Sequence, residues 1–92
     1  MEIFAQIALR IIKEQELVIG PLAWHEASKV NGLIPHPESN QVVITGEKHD
    51  VVNRLVAQYE RLFGRASREV CKEAAESLLA DLPRSEVPAN LQ

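Results

Sequence analysis

A chain of 92 residues suffices for one small domain, which buries about 60–65% of its unfolded surface. Apolar residues make up 46% of it but aromatics only 4%, so the core is aliphatic and alanine-rich, which argues against a ring-walled ligand pocket; no cofactor is expected. With 13 acidic residues against 10 basic ones, the net charge of -3 excludes nucleic acid and anionic membrane as default partners and leaves only a local basic patch as a route to them.

Residues 2–17 read as a first helix. Ile3, Phe4, Ile7, Ala8, Ile11 and Ile12 form a stripe at helical spacing, widened by Ala5 and Leu9. Glu2 sits where the helix dipole favours an anion. So wide an apolar arc belongs to a helix that is either central to the fold or half covered by a second subunit. The same stretch carries Glu2 where a secretory signal would be positive, and Gln6 and Arg10 break its apolar run, so it reads as neither signal peptide nor membrane span. Leu17, Val18 and Ile19 lead to Gly20 and Pro21, and Pro21 suits the first turn of a short second helix over 21–30. Ala23, Ala27 and Val30 would face inward, with Trp24 at the edge. Asn31 and Gly32 end it.

Pro35 and Pro37 forbid a helix in 33–45, and Glu38, Ser39 and Asn40 form a turn. Val42, Val43, Ile44 and Thr45 read as a strand, with Leu33 and Ile34 as its partner. A two-stranded ribbon is marginal alone, so it must lie on helices or pair with a ribbon from another chain. Residues 50–82 read as two helices folded back across Gly64. Val51, Val52, Leu55, Val56, Tyr59, Leu62 and Phe63 line one face of the first, and Ala66, Val70, Cys71, Ala74, Ala75, Leu78, Leu79 and Leu82 one face of the second. Asp50 is the expected N-cap, Gly64 suits the left-handed position past a helix end, and Pro83 stops the pair. The reading is α+β and mostly helical: two N-terminal helices, a short β-ribbon and a C-terminal antiparallel helical hairpin. Residues 1–82 form one compact domain, and 83–92, with little to bury, a mobile tail.

One candidate site is the basic turn from Arg61 to Lys72, with Arg54 one turn upstream. Arg61, Arg65, Ser67 and Arg68 would bind an anion, with Ser67 as N-cap and free amides at the helix start. The plain alternative is a solvated turn with Arg65 and Glu69 as a surface pair; the pattern is no P-loop. No histidine pair has metal-ligand spacing, so no metal site is expected. A catalytic cluster would need His25, Glu26 and His49 to meet in a cleft, which no spacing predicts. Cys71 lies on an apolar helical face, where a thiol acts as a small hydrophobe. As the only cysteine it forms no intrachain disulfide, which fits the cytoplasm. Trp24, Phe4 and Val43 are the candidate interface residues.

The expectation is a non-catalytic interaction or regulatory module, a homodimer or the partner of another protein. It rests on the surplus apolar surface of the first helix, the ribbon edge and the lack of a reactive constellation. Anion or nucleic-acid binding through 61–72 is the alternative, and an enzyme the third reading.

Overall fold

A computed structural model describes residues 2–92. The chain is α+β: helices α1 (Ile3–Ile19) and α2 (Leu22–Ala27), strands β1 (Leu33–His36) and β2 (Gln41–Ile44), then helices α3 (Lys48–Phe63) and α4 (Arg65–Leu79). Among the described residues, no helix is long and apolar enough to cross a membrane.

Helix α1 is the centre of the fold. The Glu2 carboxylate accepts from the Phe4 and Ala5 N–H groups at 3.0 and 3.2 Å and so caps the first turn. The helix packs against α4, α2, β2 and α3. Phe4, Ala5, Ile7, Ala8, Ile11 and Ile12 are all buried by their own chain. The surplus expected along this helix is therefore confined to its last turn, where Leu17 is 81% and Val18 66% exposed. Of the two explanations for so wide an arc, the central position holds. Gly20 ends the helix at φ 74°, its N–H donating to the Glu16 carbonyl at 2.8 Å. The second helix is shorter than 21–30, because the chain turns away after Ala27.

The ribbon is antiparallel, with Leu33 opposite Ile44, Ile34 opposite Val43 and His36 opposite Gln41. Leu33 and Val42 are buried, while Ile34 and Val43 are exposed on the other face. This is the half-solvated alternation open to an antiparallel pair. Asn40, at φ 52°, takes the left-handed corner of the turn. Gly32 (φ 92°) lets the ribbon base approach α3, since a Cβ there would meet Val51 Cγ2 at 2.8 Å.

Helix α3 starts before Asp50. Glu47 is its N-cap, and its carboxylate accepts from the Asp50 N–H at 3.1 Å, so Asp50 is capped instead of capping. The α3–α4 hairpin turns at Gly64, which has positive φ as expected but an extended ψ (φ 90°, ψ 178°), a region essentially restricted to glycine. Its N–H donates to the Glu60 carbonyl at 2.9 Å. Helix α4 begins directly at Arg65 with Gly64 as its N-cap residue, so Ser67 is not a cap; it is buried inside the helix. After Pro83 the chain makes two single 3-10 turns, at Arg84–Glu86 and Ala89–Leu91. Contrary to the expectation of little to bury there, Pro88 and Leu91 are enclosed against α3 and α4.

Candidate functional site

The residues of the expected basic turn do not converge. Arg68 is taken up internally: Nε and Nη2 donate to the Asn90 carbonyl (3.3 Å) and Oδ1 (3.4 Å), and Nη1 lies 3.8 Å from Glu60 Oε1. Lys72 stands 4.0 Å from Glu69. The Ser67 carbonyl accepts from Gln15 Nε2 at 3.1 Å in the core. Arg61 and Arg65 remain exposed.

Two of the three candidate interface residues belong to the core. Trp24 is buried, its indole N–H donating to Glu16 at 3.0 Å. Phe4 is buried with its ring centroid 4.7 Å from that of His49 and 5.6 Å from Lys48 Nζ. Val43 is on the surface, opposite Ile34.

The histidine cluster does not assemble either. Glu26 engages Gln58 (2.8 Å) and Lys29 (3.2 Å), while His49 engages Glu47 through Nδ1 (2.8 Å) and Glu86 through Nε2 (3.1 Å). With an acceptor on each ring nitrogen, His49 makes both bonds only as the imidazolium. Its pKa is raised, first by the bond to Glu47 and with a further contribution from Glu86. His49 thus clasps the C-terminal segment to the start of α3. Among the described residues, no group of three or more His, Cys, Asp or Glu side chains could hold a metal ion. Burial pushes the Cys71 thiol up to about 11, so it stays protonated, and raises the Tyr59 phenol as well. Tyr59 donates to the Ala23 carbonyl at 2.7 Å and ties α3 to α2.

Two surfaces carry groups that these internal contacts do not use. The first is the end of the bundle where α1 finishes. Helices α1 and α4 run antiparallel, as Arg10 reaches Ser77 (3.2 Å) and Gln15 reaches Ser67. The Tyr59 bond brings the last turns of α3 to the start of α2. Leu17, Val18, Leu22, Leu62 and Phe63 therefore all emerge at one end, each at least a third exposed. From there a groove of about 610 Å³ runs between α1 and α4, past Val18 and Val70, to Glu73, Glu76 and Ala80.

The second is a cleft between α2 and α3, lined by Lys29, Arg54, Gln58 and Arg61 over Val30 and Ala57. Sequence reasoning missed it because its members come from separated stretches. One signal was available: Glu26 falls on the inward face of α2 beside Ala23 and Ala27, and a buried carboxylate requires partners. Gln15 is the parallel case on the α1 stripe, four residues after Ile11; it is buried and donates to Ser67 and, at 3.4 Å, to Cys71 Sγ.

No protein-family model matches the chain, and no curated protein or solved structure matches it significantly.

Proposed function

We propose that this chain is a small non-catalytic interaction module that pairs with a second copy of itself through the end of the bundle where α1 finishes. The observation that carries the reading is the exposure of Leu17 and Val18, with Leu22, Leu62 and Phe63 at the same end. Apolar side chains gathered on a surface favour being covered.

The charges beside them favour a second copy as the cover. Arg65, Glu73 and Glu76 on α4 form no ion pair with any described residue. Arg65 and Glu76 are three helical turns apart and share a face. Glu69 and Lys72 lie between them on that face, Glu69 about 6 Å from Arg65 and Lys72 about 6 Å from Glu76 along the axis. Two copies of α4 laid antiparallel on that face, crossing between Glu69 and Lys72, would place each Arg65 near the other copy's Glu76. Such a patch is self-complementary, as a two-fold interface must be. The non-catalytic part of the reading is supported by the enclosed, protonated Cys71 and by the separation of Glu26 and His49 into different contacts. A single buried thiol also suits the cytoplasm, where the module would act.

A charge exchange tests this. Arg65→Glu and Glu76→Lys are each expected to weaken self-association several-fold in sedimentation experiments. An equimolar mixture of the two variants should recover it, because both intersubunit pairs are then opposite in sign. No weakening in either variant, or no recovery on mixing, would overturn the antiparallel arrangement.

A further inference from the structure

We propose that the cleft between α2 and α3 is a binding site for a small phosphorylated anion, held by Lys29, Arg54 and Arg61. The cleft has a volume of about 270 Å³. Arg54 and Arg61 are seven residues apart on α3, so they rise from the same helical face with about 10.5 Å between them along the axis. Lys29 joins them from the turn that follows α2. Among the described residues, neither guanidinium forms an ion pair with a carboxylate. A chain of net charge -3 thus concentrates three cations in one depression.

The cations are held in place by a buried carboxylate. The Glu26 side chain is only 8% exposed and accepts from Lys29 Nζ at 3.2 Å and from Gln58 Nε2 at 2.8 Å. Gln58, fixed in this way, turns its carbonyl to accept from Arg61 Nη2 at 3.0 Å. Arg54 donates through Nη1 to the Asn31 carbonyl at 3.2 Å. The run Lys29–Glu26–Gln58–Arg61 orders the side chains before any ligand arrives, which lowers the entropy lost on binding. Most of the positive donors remain free, since a guanidinium has five N–H groups and each arginine commits one of them here.

Arginine forks match phosphoryl oxygens in pairs, which favours a phosphorylated ligand over a simple halide. The floor is Val30 and Ala57, and no aromatic ring lines the cleft. Bases of nucleic acids are usually held by stacking on rings, so the site suits one or two phosphoryl groups better than a nucleotide strand. This reading uses none of the residues of the proposed dimer, which are Leu17, Val18, Leu22, Leu62 and Phe63 at the end of the bundle and Arg65 and Glu76 on α4.

The experiment is an NMR titration of the full chain at constant ionic strength, following the Arg Nε–H and Gln side-chain signals, with inorganic phosphate, pyrophosphate and chloride. Saturable shifts of Arg54, Arg61 and Gln58 are expected, with pyrophosphate binding tighter than phosphate and chloride without effect. The double variant Arg54→Gln and Arg61→Gln should weaken pyrophosphate binding by about tenfold or more, since it removes charge-assisted hydrogen bonds. Arg65→Gln should leave it unchanged. Circular dichroism confirms that the variants fold, and Arg54→Lys with Arg61→Lys provides a second, charge-conserving test, expected to bind at intermediate strength. Equal shifts with chloride, equal loss in Arg65→Gln, or no shift at Arg54 and Arg61 would overturn the site. Tighter binding of a short oligonucleotide than of pyrophosphate at the same residues would overturn the assignment to a small anion.

Discussion

Leu91→Ala tests whether the final segment belongs to the folded body. Leu91 is 4% exposed, in a 3-10 turn set against α3 and α4. Its neighbour Asn90 is held from both sides: its N–H and Nδ2 bond Asn53 at 2.8 Å each, and its carbonyl and Oδ1 accept from Arg68. Truncating an enclosed leucine to alanine costs about 2–5 kcal/mol, and a site near a chain end can collapse around the gap, so the lower figure of about 2 kcal/mol applies. With a urea m-value of about 1 kcal/mol/M for a domain this small, the unfolding midpoint should fall by about 2 M at unchanged m. Asn90→Ala should add a separate loss of about 1 kcal/mol, as a typical net hydrogen-bond contribution. A midpoint shift below about 0.5 M for Leu91→Ala would refute the docking and return 83–92 to an unattached tail.

Other consequences are open to equally direct measurement. The His49 pKa, read by NMR, should lie above that of a free imidazole, and Glu47→Gln should lower it more than Glu86→Gln, because the Glu47 bond is the larger cause. A raised folded-state pKa means that the clasp contributes its full stability below the unfolded value near 6.5 and loses it as pH rises through the folded value. Hydrogen-exchange protection near Glu86, taken relative to the base-catalysed intrinsic rate, should therefore fall across that window in the native chain and not in Glu86→Gln. Leu55→Ala, at a fully buried position of α3, should cost about 2–5 kcal/mol in urea unfolding. Gly64→Ala should cost about 1–3 kcal/mol from backbone strain alone, since no atom lies within 4 Å of the added Cβ. A neutral outcome at Gly64 would mean that the hairpin turn relaxes out of positive φ.

Much of the architecture was legible because it follows from periodicity. The α1 stripe, the α3–α4 hairpin around Gly64 and the β-branched run at 42–45 each satisfy one clear repeat. What failed depends on competition between near neighbours or on distant partners. Several acidic and polar residues at 47–50 offer competing caps, and Glu47 wins because its carboxylate reaches the Asp50 N–H. The burial of Pro88 and Leu91 has no local pattern to announce it; it arises from the α3–α4 surface. The basic turn looked concentrated in sequence, yet adjacent arginines on helices point in different directions. Arg68 turns to Asn90, while Arg61 joins Lys29 and Arg54 across the chain.

Sedimentation equilibrium of the native chain across a concentration series reaching tens of micromolar, beside Leu17→Glu combined with Val18→Glu, bears most directly on the proposed role. Both substituted positions are exposed, so folding should survive, as circular dichroism would verify. A native dimer reduced to a monomer by the double change is the expected result. A native chain that sediments as a monomer throughout, or a dimer indifferent to both substitutions, would contradict it.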